Sequence, residues 1–471
     1  MNLFLDAYSV AGLGQHEASQ LAELIEIYDY HDSKNLEKER FYEGHVPLSE
    51  VNLGIALPEA FGELEIGCEW GAKTVDVLAS RSKFDGYVKA NGQEDEQLLR
   101  IVSGNHLIAE YSKGARDELK YGCTFITQSA DPDIGCRIRF HSPKQAAAKW
   151  DGSKGRIECG FAIVDMIPDE YKKNVWKPSV INFYTEDAVW VLRRDGSYWY
   201  ATRKVNSVGM PLMEALIWNP TSDKPFGRSR IKETTRHLIE GYIRTVANAT
   251  IGLEFATSPQ KYLLGVTDDQ YDQIINQKFR QYVGSIIAST TNPDTGEKPT
   301  FGQLMQGSIS PHVEMMRMLA TQFSAASGLT VTDTGVVNDA NPTSSDAILA
   351  QSQTLVNMAE QMNVSNGDAL YNVALKALAL ANKTPISNLS DEARDIMAHF
   401  RNPAMPSLAS TADAAIKIAS AREGFGQTDT FLEMIGFDQA DIRRVKAQET
   451  RLRGLSVLEG IDNEDNEAGV E

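Results

Sequence analysis

Three segments in the second half of the chain carry apolar residues at the spacing of a single helix face. The first extends over about residues 228–255. The second begins with Ser310 as its N-cap and Pro311 as its first helical residue, and it ends at Gly328. The apolar stripe of the first segment consists of Ile231, Leu238, Tyr242, Val246, Ala249 and Leu253. The pattern predicts long helices, each with one face available for packing.

The third segment, residues 344–383, is longer than most helices of globular proteins. Its stripe is formed by Ile348, Leu355, Ala359, Met362, Leu370, Val373 and Ala377. Between the second and third segments lies the stretch 329–340, which contains two acidic residues and no basic one. A connection of this length between two strong helices is either functional or disordered.

The first half of the chain has a different pattern. Residues 1 to about 40 are predicted to be helical, whereas residues 100 to about 210 contain short β-like runs separated by turn signals. These runs include 135–140, 157–164 and 188–192. They predict a modest antiparallel sheet. Since residues after 402 are again helical in pattern, the predicted fold class is α+β and mainly helical.

Composition limits the classes of function. The 471 residues carry a formal net charge of −18, and 42% of them are hydrophobic. A strongly acidic protein is a poor candidate for gripping DNA phosphates, although its surface suits DNA that slides past. Ordinary acidic solubility is an equally simple explanation. No apolar run is long enough to span a bilayer, and the first residues do not resemble a signal peptide, so we expect no membrane association.

The sequence gives no sign of catalytic chemistry. A phosphate-binding GxxxxGK[ST] loop, a zincin helix and the GxSxG signature are all missing from it. The four cysteines, which have neither CxxC spacing nor a histidine at zinc-ligand spacing, are predicted to be buried reduced thiols. They are Cys68, Cys123, Cys136 and Cys159. We therefore expect a protein without enzymatic activity, cofactor or metal.

Six short strings, in order and at plausible spacing, resemble portal proteins of long-tailed double-stranded DNA phages. The resemblance covers about residues 38–380. The strings are Phe41–His45, Trp70–Arg81, Pro225–Ile231, Ser258–Gly265, Gln322–Leu329 and Asn341–Ala347.

This resemblance implies a portal-type fold and a cyclic homo-oligomer, typically a dodecamer, around a DNA channel. The implied parts are a wing (1–227), a first stem helix (228–255), a clip (256–309), a second stem helix (310–328), a tunnel loop (329–343), a long wing helix with its return (344–402) and a helical crown with an acidic tail (403–471). Two packed helices joined through a small outer module are the geometric core of this interpretation.

The resemblance also implies roles for individual residues. The tunnel-loop residues facing DNA are Thr332, Asp333, Gly335 and Asp339. The clip residues expected where terminase and adaptor dock are Lys261, Tyr262, Lys278, Arg280 and Lys298. The stem positions are Arg228, Arg230, Arg244 and Arg317.

The implied mechanism is passive. The ring would lie at the portal vertex of the virion capsid, be made in the host cytoplasm, and serve as the channel for DNA packaging and ejection. Its partners would be other copies of itself, the terminase large subunit, a head–tail adaptor, the major capsid or scaffolding protein, and double-stranded DNA passing without sequence specificity.

Two alternatives stay open from sequence alone. One is another virion structural protein, such as a head–tail adaptor or a minor capsid protein, although these are usually shorter and lack paired helices around a clip. The other is a hydrolase or nuclease with an unrecognised site.

Overall fold

A computed structural model describes most of the chain. The described residues are 5–46, 66–89, 95–169, 173–257, 261–265, 296, 298, 300–303, 308–335, 345–404, 408–422, 424–438 and 440–453. Helix accounts for 51% and strand for 24% of the structure. The predicted α+β, mainly helical class is confirmed.

The helices and strands are numbered separately along the chain. The α-helices are α1 (Gln15–Tyr42), α2 (Trp70–Ala79), α3 (Glu96–Gly104), α4 (Leu107–Tyr121), α5 (Glu233–Thr257), α6 (Ser310–Ser327), α7 (Ser345–Ala381), α8 (Asp391–Arg394), α9 (Leu408–Ala421) and α10 (Asp429–Met434), and residues 440–453 are also helical. The strands are β1 (Phe84–Lys89), β2 (Cys123–Asp131), β3 (Gly135–His141), β4 (Ala146–Asp151), β5 (Arg156–Pro168), β6 (Trp176–Tyr184), β7 (Ala188–Asp195), β8 (Tyr198–Val205), β9 (Met213–Ile217), β10 (Lys261–Leu264), β11 (Thr300–Gln303) and β12 (Ile396–Phe400).

The chain divides into two compact units. The larger, called the sheet unit below, contains Met1–Tyr42, Ala72–Lys232 and Pro342–Glu471. The smaller, called the helix-pair unit, contains Glu43–Gly71 and Glu233–Asn341. The helix-pair unit therefore combines two segments that are far apart in sequence.

A five-stranded antiparallel sheet in the order β4-β5-β6-β7-β8 forms the main core of the sheet unit. One face of the sheet packs against α1, whose Leu21 and Leu24 are fully buried in the same cluster as Phe161 and Phe183. The Tyr28 ring lies 5.7 Å from the Phe161 ring, and its hydroxyl donates to the Lys144 carbonyl. The predicted sheet is present and is larger than its sequence pattern indicated.

A second sheet, in the order β3-β2-β9, packs against α4 and α7. The side chain of Asn105 covers the outer edge of β3, because its Nδ2 donates to the Cys136 carbonyl and its Oδ1 accepts from the Ile138 amide. The region that contains these strands was predicted as sheet from residue 100 onward. That boundary is wrong, since α3 and α4 occupy most of residues 96–121.

The predicted long helix is confirmed as α7. Of its predicted stripe, Leu355, Ala359, Met362, Leu370, Val373 and Ala377 are all buried. Ile348 lies outside the residues whose side chains the structure describes. The strand pair β1–β12, which joins residues more than 300 positions apart, was not predicted. The four cysteines are free and buried, as predicted, and burial raises the pKa of the Cys68 thiol to about 11.

A carboxyl group lies in the middle of the sheet unit. Glu118 on α4 is fully buried, and its Oε2 accepts from Asn366 Nδ2 at 2.8 Å. Its Oε1 has no hydrogen-bond partner among the described residues. Burial raises the pKa of Glu118 from its ordinary 4.5 to about 8. Because a lone carboxylate is costly in such a place, the neutral acid is favoured there.

This carboxyl group makes stability depend on pH. The folded chain keeps a proton on Glu118 that the unfolded chain has released, so the stability it contributes is present below about pH 4.5 and is lost as pH rises toward about 8. We expect Glu118→Gln to flatten the fall in melting temperature between pH 5 and pH 8. Glu392→Gln, at an exposed position, is the charge-matched control and should leave that fall unchanged. Equal slopes in both variants would contradict the assignment.

Candidate functional site: a helix pair joined through a hairpin

The first helix of the helix-pair unit is α5, which begins at Glu233. The predicted start at residue 228 is therefore wrong by five residues. Buried positions on α5 include Thr235 and three residues, Ile239, Ile243 and Ala247, that each follow a predicted stripe position by one. Of the predicted positions, Ala249 on α5 and Ile231 before it are buried, Leu238, Tyr242 and Val246 are partly exposed and Leu253 is exposed.

Arg228 and Arg230, predicted as stem residues, precede α5 and belong to the sheet unit. Arg230 is buried: its Nε donates to the Thr74 carbonyl at 2.7 Å, and its guanidinium lies 5.5 Å from the Trp218 ring centre. Burial lowers its pKa to about 10. Arg228 is exposed and pairs with Asp223. The helix starts late because Arg230 is held by contacts within the sheet unit that no local pattern reveals.

The second helix, α6, has the predicted length. Pro311 lies in its first turn, where the missing N–H costs nothing, and Gly328 ends it with a φ of 72°. Ser310 is the first helical residue rather than the N-cap, a position that Ile309 takes. Leu319, Ala320 and Phe323 form its buried face. Met315 on the same helix is 41% exposed.

Helices α5 and α6 pack against each other. A methyl group placed on Gly241 of α5 would lie 3.5 Å from Leu319 Cδ2, so the Leu319 side chain of α6 packs over Gly241. Trp70 fills the adjoining space: its ring centre is 4.4 Å from that of Tyr242 on α5 and 4.8 Å from that of Phe323 on α6. In the sequence, Trp70 belongs to the string Trp70–Arg81, which resembles portal proteins. Nothing in its local pattern indicates this packing role.

The chain between these helices includes the antiparallel strand pair β10–β11, called the hairpin below. In this pair Lys261 is opposite Gln303 and Leu264 is opposite Thr300. Its described apolar side chains are open to solvent: Tyr262 is 43%, Leu264 60% and Phe301 52% exposed. Of the predicted docking residues, Tyr262 and Lys298 are exposed. Lys261 lies on β10 and its side chain is outside the described part, as are Lys278 and Arg280 entirely.

After α6 the chain forms a 3-10 turn, Val331–Thr334. Thr330 and Asp333 cap this turn reciprocally, because Thr330 Oγ1 accepts from the Asp333 amide while Asp333 Oδ2 accepts from the Thr330 amide at 2.9 Å. Gly335 follows with a φ of 75°, a conformation that favours glycine. The predicted loop thus begins with an ordered turn, in which Thr332 is exposed and the Asp333 carboxylate already accepts bonds from Thr330. Asp339 lies outside the described residues.

Charge on the helix pair is sparse. Of the predicted stem residues, Arg244 on α5 and Arg317 on α6 are exposed. Within the described part of the chain there is no cluster of three or more His, Cys, Asp or Glu side chains suited to a metal. No helix among the described residues is long and apolar enough to cross a membrane. What the site offers is therefore packing surface: two helices, an exposed apolar hairpin and a capped turn.

Comparison with known protein families identifies the family of this chain. The family model described as "Phage portal protein, SPP1 Gp6-like" matches residues 13–452, and the chain belongs to this family. It is a structural subunit of the portal ring at the capsid vertex and a component of the virion.

Solved structures of gene transfer agent particles contain similar chains. One, in "Virion of native gene transfer agent (GTA) particle", is 11% identical with a TM-score of 0.47 and covers 86% of this chain and 93% of that chain. Another, in "Neck of native GTA particle computed with C12 symmetry", is 12% identical with a TM-score of 0.44 and covers 78% and 89%. No curated protein matches the chain.

Proposed function

We propose that helices α5 and α6 and the strand pair between them are the stem and clip of a twelve-subunit portal ring through which DNA is packaged and ejected. The observation that carries this proposal is the packing of α5 on α6 within one compact unit that also contains the hairpin. In this arrangement α5 and α6 are the stem helices and β10–β11 belongs to the clip. Residues 1–227 and 344–402 form the wing, and residues 403–471 form the crown.

Exposed apolar side chains support assembly of the stem into a ring. Val313, Met315 and Met318 on α6 are each at least 39% exposed. Met315 and Met318 are three residues apart and so lie on one side of the helix, and exposed apolar surface of this kind can mark an interface. Twelve chains of net charge −18 would carry about 12 × −18 = −216, so apolar, head-to-tail contacts that close the ring must overcome considerable repulsion.

The hairpin is the proposed docking site for the terminase large subunit during packaging and for the head–tail adaptor afterwards. Aromatic residues are enriched at the centres of protein interfaces, and Tyr262 and Phe301 are exposed on this small strand pair. Lys298 is exposed nearby in sequence and adds a positive charge to an otherwise acidic chain. The major capsid or scaffolding protein is the proposed partner of the wing.

The proposed channel is passive toward DNA. Affinity for the DNA backbone comes mainly from lysine and arginine, and the described parts of α5 and α6 carry few of them. The tunnel loop, residues 329–343, carries Asp333 and Asp339 and has no basic residue between 329 and 340. DNA would therefore slide past the loop without being held by it.

Deleting residues 332–339 tests the role of the loop. We expect rings to form at the normal mass while packaged DNA falls to less than about a tenth of the wild-type amount, since functional contacts concentrate in loops of this kind. Packaging is measured as nuclease-protected DNA, and ring formation by mass photometry of the same preparation. Wild-type packaging by the deleted ring would refute the proposal that the loop acts on DNA.

A further inference from the structure

Trp70 makes three contacts that converge on one point of the helix-pair unit. Its ring packs on Tyr242 of α5 and on Phe323 of α6. Its Nε1 donates to the Thr334 carbonyl at 3.0 Å in a buried bond. Trp70 is 4% exposed, and Phe323 is fully buried. One side chain thus touches both helices and the turn that follows the second of them.

The position of Thr334 gives the hydrogen bond its significance. Thr334 is the last residue of the 3-10 turn, and Gly335 begins the rest of the proposed tunnel loop. Thr334 is itself buried, and its Oγ1 donates to the Val331 carbonyl at 2.6 Å. Trp70 therefore bonds to the backbone of Thr334, the residue at which the 3-10 turn ends.

Packing alone does not require an indole at this position. A phenylalanine or leucine could fill apolar space between two helices, whereas only the indole adds a ring N–H directed at a backbone carbonyl. The donor is buried, so leaving it or its acceptor unpaired would be costly. The N–H is the part of Trp70 that connects the helix pair to the loop.

We propose that Trp70 is the positioning residue of the tunnel loop: it fixes the turn Val331–Thr334 on the helix pair, so that a shift of α5 against α6 is transmitted to Gly335. This inference rests on the proposed function of the loop. A shift between the helices must move the Trp70 ring, because interiors are close-packed and the ring touches both. The hydrogen bond then moves the Thr334 carbonyl with the ring.

The test compares Trp70→Phe with the wild-type ring by hydrogen exchange. In the wild type the Asp333 amide, besides its bond to Thr330 Oγ1, donates to the Thr330 carbonyl at 3.1 Å. The Gly335 amide donates to the Thr332 carbonyl at the same distance. Phenylalanine keeps an aromatic ring between Tyr242 and Phe323 and removes the N–H. We expect the two amides to exchange about tenfold faster, the effect of losing one buried hydrogen bond. Amides in the sheet unit should be unaffected, and packaged DNA should decrease.

Trp190→Phe is the matched control, since Trp190 is a buried tryptophan in the core of the five-stranded sheet. It should leave exchange at Asp333 and Gly335 unchanged even if it lowers the melting temperature. Unchanged exchange at these amides in Trp70→Phe would overturn the positioning role. Faster exchange with wild-type packaging would overturn the claim that packaging uses this position. Faster exchange in Trp70→Phe, combined with normal packaging after deletion of 332–339, would instead refute the proposed function of the loop while the structural contact stands.

Discussion

Phe323→Ala is expected to separate α5 from α6, the two proposed stem helices, and to prevent ring formation. The Phe323 side chain is fully buried, and its ring centre is 4.8 Å from that of Trp70. Truncating a buried phenylalanine to alanine costs about 3–5 kcal/mol, because apolar burial is lost and a cavity remains. The helix-pair unit is the smaller of the two units, so a loss of this size should unfold it first.

Thermal unfolding and mass photometry check this expectation. Phe323→Ala should show an early transition and a particle distribution dominated by species smaller than the ring. Gln322→Ala is the control on the same helix, because Gln322 is exposed and polar and its truncation leaves no buried cavity. If Phe323→Ala forms rings as stable as those of Gln322→Ala, the packing described for α5 and α6 is wrong.

Lys376→Ala is expected to destabilise the sheet unit by about 3–5 kcal/mol, the usual effect of removing one partner from a buried ion pair. Lys376 on α7 is 1% exposed. Its Nζ donates to the Pro211 and Met213 carbonyls and, at 2.6 Å, to Glu214 Oε1. Burial lowers the pKa of this ammonium group, and the nearby Glu214 carboxylate partly offsets the effect. Alanine would leave that carboxylate and two carbonyls without their donor.

Two variants make this prediction specific. Lys417→Ala removes a lysine whose ion pair with Asp413 is largely exposed, and it should change the melting temperature very little. The double variant Lys376→Met with Glu214→Leu removes both charges and should recover a large part of the lost stability. Equal melting temperatures for Lys376→Ala and Lys417→Ala would show that the buried pair does not hold α7 to β9.

Local patterns were sufficient where the determinants of an element lie within it. Pro311 and Gly328 fix the ends of α6 to within a residue, because both act through their own backbone conformation. The predicted stripe positions of α7 from Leu355 to Ala377 are buried, because one face of a long helix must cover a core. The hairpin strands β10 and β11 lie within the segment that was predicted as a small module between the helices.

Local patterns failed where the determinant is distant in sequence. Helix α5 starts at Glu233 because Arg230 is held by Thr74 and Trp218, contacts that the helical periodicity around residue 228 does not encode. The same is true of Trp70, because its contacts with Tyr242, Phe323 and Thr334 all reach across more than 170 residues. Helix α4 differs from these cases, because its buried residues recur at every fourth position from Leu107 to Leu119, a local pattern typical of a helix.

The proposed ring requires α5 and α6 to stand side by side around a common axis, with a central channel wide enough for duplex DNA. Electron microscopy of the purified protein, combined with its particle mass, tests this most directly. We predict a ring with an open centre, a mass of about 624 kDa for twelve chains of 52.0 kDa, and α5 and α6 repeated around the symmetry axis. A stable monomer of 52.0 kDa under all conditions, or a ring in which these two helices lie apart, would contradict the account.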